Sequence, residues 1–156
     1  MTGDRLVVHK AAYGLRLPLT DTYVVRGDAP RRGDVVVLDA PDTGDVLLKR
    51  VAAVPGDTVS ILGGRIEIDG AIAPLERAGG RLVERLDGVS HELRLTSDGG
   101  PDFGPLTLGP DRYLVLGDNR GDSRDGRFFG LVERGAILGR AAGVYFRDGG
   151  FTWMEI

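Results

Sequence analysis

The chain has 156 residues, of which 42% are hydrophobic and 28% charged, and 20 basic against 23 acidic side chains give a formal net charge of −3. These values are typical of one globular domain, and the balance of charge provides no field that would collect nucleic-acid phosphates. Cysteine is absent, which excludes disulfides and thiolate zinc sites. Because the chain lacks both a long apolar stretch and a signal-peptide pattern, we expect any membrane anchor to lie outside it.

Short runs rich in β-branched residues recur along the chain, whereas helical periodicity is nearly absent. The pattern predicts a single all-β domain over residues 1–156, with little helix. Gly63 and Gly64 separate two runs and are typical of a tight hairpin turn, because glycine accepts positive φ angles. The predicted strands are residues 6–9, 22–25, 35–38, 46–53, 58–62, 65–68, 81–86, 91–96, 112–116 and 139–146.

Three other segments carry weaker predictions. Residues 97–105 are rich in Gly, Pro and Asp and are expected to form a surface loop. Residues 131–138 are expected to form no more than one helical turn, because glycines interrupt and flank them. The aromatic tail at residues 151–153 fits either a closing strand or an anchor at a membrane interface.

Lys49, one of only two lysines in the chain, lies in the strand predicted for residues 46–53. Alternation along that strand places Leu47, Lys49 and Val51 on one face. An ammonium group between apolar side chains loses hydration, and this lowers the pKa of the amine toward neutrality. Lys49 is therefore a candidate general base, although the pattern also fits a lysine whose stem packs on its neighbours while the amine reaches water.

A polar segment, residues 117–130, follows the strand predicted for residues 112–116 and is dense in Asp, Asn, Ser and Arg. This composition is typical either of a solvated, ion-paired loop or of a loop that directs hydrogen bonds into a site. A calcium-binding loop is excluded because Arg120 and Phe129 stand where that loop needs oxygen ligands.

The two histidines point to no chemistry of their own. His9 and His91 are expected on the surfaces of strands, and no third ligand stands at a metal-binding spacing, so neither a metal nor another cofactor is predicted. Ser90 precedes His91 directly, but neighbours on a strand point to opposite faces and do not share a proton easily. We therefore do not expect a catalytic pair there.

Together, four motifs resemble those of the bacterial type I signal peptidases, which are serine proteases with a Ser/Lys dyad. Residues 3–8, with Lys10 and residues 13–14, are similar to the segment that follows the family's nucleophile, and residues 32–37 to its next motif. Residues 49–51 with 55–57 resemble the motif that carries the base, and residues 117–130 the last one. All four motifs occur in the family's order, and this combination is more specific for the family than any single motif.

The resemblance implies an antiparallel signal-peptidase-like β domain and a role for particular side chains. Lys49 is implied to be the general base, and Ser123 the hydroxyl that hydrogen-bonds and orients its amine. The implied supporting ion pairs are Arg50 with Asp118 and Asp125 with Arg127. Because the family's substrate lies extended beside the strand that leads to the lysine, the residues expected to line shallow pockets for small side chains are Leu6, Val36, Leu47 and Leu48.

The family's nucleophile occurs in a Ser-Met-x-Pro-Thr pattern that would fall before Met1. None of the serines of this chain stands in such a pattern: Ser60, Ser90, Ser97 and Ser123. We therefore expect a catalytic domain that is truncated at its N-terminus relative to the family and inactive as it stands, since a neutral amine without a nearby hydroxyl cleaves no peptide bond.

The function implied by the resemblance is removal of signal peptides from secreted preproteins, after small-x-small motifs, on the extracytoplasmic side of the cell membrane. An alternative is a non-catalytic homologue that binds peptides or membrane partners without cleavage. A third possibility is a self-cleaving repressor-type domain, which shares the Ser/Lys chemistry. The sequence upstream of Met1 distinguishes these three.

Overall fold

A computed structural model describes residues 5–16, 23–96, 98–147 and 150–155, with side chains for residues 7–13, 27–96 and 98–143. Antiparallel strands dominate, as predicted, and the helical elements of this part are one short helix, α1 (Gly126–Phe129), and three 3-10 turns, Lys10–Tyr13, Arg120–Asp122 and Arg134–Ala136. The strands are β1 (Arg5–His9), β2 (Gly14–Arg16), β3 (Tyr23–Arg26), β4 (Val35–Asp39), β5 (Val46–Ala53), β6 (Thr58–Leu62), β7 (Arg65–Ile68), β8 (Ala71–Ile72), β9 (Leu75–Ala78), β10 (Arg81–Leu86), β11 (Val89–Leu93), β12 (Phe103–Thr107), β13 (Arg112–Leu116), β14 (Val132–Glu133), β15 (Ile137–Arg147) and β16 (Gly150–Glu155).

The largest sheet has seven strands, in the order β1-β15-β4-β5-β13-β14, with β16 also paired to β15. Its centre is buried on both faces, because neighbouring residues of β13 point into two different apolar clusters. Leu114 and Leu116 contribute to one cluster, whereas Tyr113 and Val115 contribute to the other. Burial on both sides explains why β13 is apolar throughout except for Arg112 at its start.

Strand β5 is paired differently along its two halves. Its first five residues pair with β4, where Lys49 lies opposite Val36 and Arg50 opposite Val35. Strand β13 pairs with β5 only from Arg50 onwards, where Leu116 is its partner. Within the described part of the chain, residues 46–49 therefore have no partner strand on the side that faces away from β4.

Two smaller sheets follow β5 in the chain. One has the order β12-β6-β7-β8 and the other β11-β10-β9. The predicted hairpin is confirmed: Leu62 pairs with Arg65 across Gly63 and Gly64, whose φ angles are 54° and 76°. The tail predicted as either a strand or an interfacial anchor forms β16, paired with β15.

The structure also corrects several boundaries. Residues 97–105 are not all loop, because β12 begins at Phe103 and pairs with β6; Pro105 is tolerated there because β12 is an edge strand. Strand β11 ends at Leu93 rather than at residue 96, and Arg94 makes an isolated parallel bridge to Asn119. Residues 131–138 contain a single 3-10 turn between β14 and β15, as the glycines predicted. Short strands such as β8, β9 and β14 carry too few residues to show a period.

Candidate active site

Lys49 lies near the middle of β5, on the face that alternation predicted for it. Val51 and Leu47, two residues on either side, both contact the apolar cluster formed by Tyr113, Val115 and their neighbours. Lys49 itself is partly buried, whereas Val46 and Leu48 on the opposite face are exposed. The amine therefore emerges from an apolar surface at the point where β5 loses its second partner strand.

Burial lowers the pKa of the Lys49 amine, because desolvation disfavours the charged form. The carboxylates of Asp125 and Asp118 oppose this shift, whereas the guanidinium groups of Arg124 and Arg127 add to it. A lowered pKa increases the fraction of neutral amine, which is the form that accepts a proton.

The nitrogen Nζ of Lys49 donates a hydrogen bond of 3.0 Å to Oγ of Ser123. Ser123 follows the 3-10 turn Arg120–Asp122 and has an extended backbone, with φ −131° and ψ 123°, so its side chain projects from the loop towards β5. The two residues that the resemblance implied to be base and orienting hydroxyl are thus brought together.

The first implied ion pair joins the two segments of the site. Nε and Nη2 of Arg50 each donate a hydrogen bond of 2.9 Å to an oxygen of Asp118. Nη1 of Arg50 donates to the carbonyl of Gly33 at 2.7 Å, so the buried guanidinium links β5 to two loops. Because a two-point contact between planar groups fixes orientation as well as distance, this pair holds the start of residues 117–130 beside β5.

The second implied ion pair lies inside the loop and is completely buried. Nε and Nη2 of Arg127 donate to Oδ1 and Oδ2 of Asp125 at 2.9 Å, and both side chains have 0% exposure. Burial raises the pKa of Asp125, but hydrogen bonds from Arg127 and from the Gly117 amide outweigh it and leave that pKa below its usual value. Arg127 also donates to the carbonyl groups of Gly99 and Arg120, each at 2.6 Å, which ties the loop to its surroundings.

A third buried ion pair was not predicted from the sequence. Arg120 donates from Nη2 to Oε2 of Glu84 and, at 2.6 Å, from Nη1 to the carbonyl of Gly64; the Arg120 and Glu84 side chains are each only 2% exposed. Glu84 belongs to β10, so this pair attaches the loop to the sheet β11-β10-β9. Alternation offered a clue, because Glu84 occupies the same face of β10 as the buried Leu86.

The prediction that His91 lies on the surface is wrong. Its side chain is 4% exposed, with Nε2 3.3 Å from Oε2 of Glu84 and 3.8 Å from Oδ1 of Asp118. Strand β11 pairs His91 directly with Glu84, and the buried Leu93 shares its face, which explains the burial. His9 is exposed, as predicted, and the exposed Ser90 points away from the buried face of His91.

The residues expected to line substrate pockets differ in accessibility. Leu48 is 40% exposed, and Leu47 is partly buried beside Lys49. Val36 has no exposed surface and belongs to the apolar core under Lys49. Leu6 lies in β1, and its side chain is outside those described.

Within ranges 5–16, 23–96, 98–147 and 150–155, no three His, Asp or Glu side chains form a group that would hold a metal ion. Helices of the same ranges are all too short to cross a lipid bilayer.

Comparison with known proteins agrees with the resemblance seen in the motifs. The family model described as "Signal peptidase, peptidase S26" matches residues 1–146. The chain belongs to this family. A signal peptidase I of Leptolyngbya laminosa is 34% identical over 146 residues, which cover 88% of this chain and 58% of that protein. A signal peptidase I of Pseudomonas fluorescens is 32% identical in an alignment 177 residues long, gaps included, which covers 98% of this chain and 60% of that protein.

The fold agrees as well. The crystal structure of a signal peptidase I from Enterococcus faecalis V583 superposes with a TM-score of 0.54 and 24% identity, covering 72% of this chain and 97% of that one. The predicted signal-peptidase-like all-β fold is thereby confirmed. The chain spans about three-fifths of the length of the two relatives named above, at 58% and 60%.

Proposed function

We propose that the chain is the catalytic domain of a signal peptidase I, a serine endopeptidase that removes signal peptides from secreted preproteins. The observation that carries the proposal is the partly buried Lys49 amine with a lowered pKa, 3.0 Å from Oγ of Ser123. A desolvated amine that is held by a neutral hydroxyl, rather than by a carboxylate, can accept a proton from a nucleophile. Family membership over residues 1–146 supports the same reaction.

In the proposed mechanism, neutral Nζ of Lys49 takes the proton of a serine hydroxyl as that oxygen attacks the carbonyl carbon of the scissile bond. The ammonium then returns the proton to the leaving amine, and the carbon–nitrogen bond breaks. Water attacks the resulting acyl-enzyme with Lys49 again as the base, which frees the serine. Ser123 orients the amine, and the nucleophile would be a serine in the family's Ser-Met-x-Pro-Thr pattern, which the sequence of residues 1–156 does not contain.

One edge of β5, which has no partner strand among the described residues, is suited to bind an extended substrate. Residues 46–49 present backbone groups on the side away from β4 and span about 13 Å, which is enough to pair with about four residues of a peptide strand. Leu47 and Leu48 flank this edge on its two faces. We propose that they contact the small side chains before the scissile bond, with Leu6 contributing to the pockets. Val36 is fully buried and therefore supports this surface from the core rather than lining a pocket.

The proposal also assigns a location and a partner. Preprotein signal peptides would be the substrates, and the domain would work on the extracytoplasmic side of the cell membrane. The alternative, a homologue that binds peptides without cleaving them, requires the unpaired edge of β5 but not a neutral Lys49.

A longer protein, in which the family's Ser-Met-x-Pro-Thr motif is placed ahead of residue 1, tests the proposal. Its cleavage of a preprotein with an Ala-x-Ala site should be abolished by Lys49→Arg, because an arginine side chain does not release its proton. Lys10→Arg is the matched control, since Lys10 is exposed and is the other lysine of the chain, and it should leave cleavage unchanged. Full cleavage by the Lys49→Arg protein would refute the mechanism, and binding without cleavage by the unaltered protein would favour the alternative.

A further inference from the structure

Arg124 follows Ser123 directly, and its guanidinium group is held by contacts on two sides. Its Nη2 donates to the carboxylate of Asp42, and its guanidinium carbon lies 5.8 Å from the centre of the Phe129 ring. Both contacts restrict the position of the Arg124 guanidinium, whereas many surface arginines extend freely into solvent. The Arg124 side chain is 42% exposed and that of Asp42 44%, so the pair lies at the surface of the site.

The contacts of Arg124 place its charge on the same face of β5 as the Lys49 amine. Leu47 and Lys49 share that face, and Leu47 and Phe129 pack against the same apolar cluster. Arg124 lies against Phe129, while Asp42 belongs to the turn between β4 and β5, four residues before β5 begins. The Arg124–Asp42 pair therefore links the loop that carries Ser123 to the turn that precedes β5.

The other charged groups that act on Lys49 are ion-paired as well. Asp118 is held by Arg50 on the opposite face of β5, and Asp125 is held by Arg127 inside the loop. The groups that influence the amine are these two carboxylates, which favour its charged form, and Arg124 and Arg127, which disfavour it. Arg124 differs from Arg127 because its acidic partner lies in another segment rather than two residues away.

We propose that Arg124 is a positioning residue for Lys49: with Asp42 and Phe129 fixing its guanidinium on this face of β5, its positive charge opposes protonation of Nζ and keeps the amine able to accept a proton. This charge effect matters for catalysis only if Lys49 is the general base, so the proposal rests on the proposed function. A lysine at the same position would keep the charge, whereas glutamine would keep much of the length and lose the charge.

Nuclear magnetic resonance of lysine side chains tests this in the chain as it is, without any cleavage. Only Lys49 and the exposed Lys10 give signals, and Lys10→Arg identifies which is which. In Arg124→Gln, the fraction of neutral Lys49 at a fixed pH below its titration midpoint should fall about two- to fivefold, as expected for losing one partly exposed charge close by. Arg124→Lys should restore most of that fraction, and high salt should reduce the difference between glutamine and arginine.

Arg112→Gln is the matched control, because Arg112 forms a surface ion pair with Glu133, is 44% exposed and is not among the groups with the largest effect on the pKa of Lys49. An unchanged Lys49 titration in Arg124→Gln overturns the proposal. Equal shifts in Arg124→Gln and Arg112→Gln also overturn it, since they would reflect net charge alone. A protein that fails to cleave preproteins but shows the Arg124-specific shift refutes the proposed function and leaves the relation between Arg124 and Lys49 intact.

Discussion

Ser123 Oγ lies 3.0 Å from Nζ of Lys49, although 74 positions separate the two residues in the chain. Residues 117–130 achieve this with three buried or partly buried arginine–carboxylate pairs. One attaches the loop to β5 through Arg50, one to β10 through Glu84, and one closes the loop on itself through Asp125. Because each pair fixes a different point, the position of Ser123 does not depend on the Lys49 contact alone.

Replacing Ser123 with alanine should slow cleavage by the longer protein about tenfold to a hundredfold, less than the loss expected for Lys49→Arg. One hydrogen bond to the amine is lost, while the base itself remains. Initial rates on an Ala-x-Ala preprotein measure this, with the exposed Ser90→Ala as the control. Complete loss in Ser123→Ala alone would contradict a purely orienting role and indicate that its hydroxyl reacts.

Gly117→Ala should disturb the hydrogen bond between Lys49 and Ser123, because the added Cβ would displace the Ser123 side chain. A Cβ at residue 117 would lie 2.0 Å from Oγ and 2.5 Å from Cβ of Ser123, which is closer than such atoms approach. The backbone has little freedom to move away, because the Gly117 amide donates to Asp125 at 2.9 Å. We expect a loss of activity at least as large as that of Ser123→Ala, since the displaced hydroxyl no longer holds Nζ.

The control for this substitution is Gly109→Ala, because residue 109 has open space around its Cβ position and no positive φ. Initial rates of both variants, measured beside urea unfolding, separate a local displacement from a general loss of fold. Activity of Gly117→Ala equal to that of Gly109→Ala would show that Ser123 is not positioned as described.

The parts of the site that could be predicted from sequence are those with local or motif information. Alternation along β5 places Lys49 with Leu47 and Val51, and the structure has them on one face. The pairings of Arg50 with Asp118 and of Asp125 with Arg127 came from the resemblance, and both form. Their roles in cleavage remain predictions.

The parts that could not be predicted depend on contacts between distant segments. Composition cannot show that Arg120 reaches Glu84 on another sheet, nor that His91 is covered by that pair. Strand β12 was missed because Gly104 and Pro105 interrupt its period, and its pairing with β6 is decided by the tertiary structure. The one available sequence signal was the alternation along β10, which places Glu84 on the same face as Leu86.

The lowered pKa of Lys49 should make its effect on stability depend on pH. Between that lowered pKa and the ordinary value of 10.5, the unfolded chain binds more protons than the folded one, so the free energy of unfolding rises with pH. Below this window the folded protein carries the full cost of a desolvated ammonium. Lys49→Met should therefore be more stable than the parent at low pH, with an advantage that shrinks as the pH rises through the window.

Urea midpoints of the parent and Lys49→Met chains, taken at several pH values, measure this difference. Lys10→Met is the control, since Lys10 is exposed and its replacement should shift stability little at any pH. A Lys49→Met difference that stays constant with pH would show that the amine is not desolvated.

Glu84→Gln should destabilise the fold and loosen the loop that carries Ser123. It leaves the guanidinium of Arg120, which is 2% exposed, without its counter-charge, and breaking a buried pair in this way costs about 3–5 kcal/mol. Glu92→Gln on the neighbouring strand is the control, because Glu92 is 38% exposed and pairs with the exposed Arg81, so about 0–1 kcal/mol is expected. Urea unfolding gives both values, and equal losses for the two variants would mean that the Glu84–Arg120 pair does not anchor the loop.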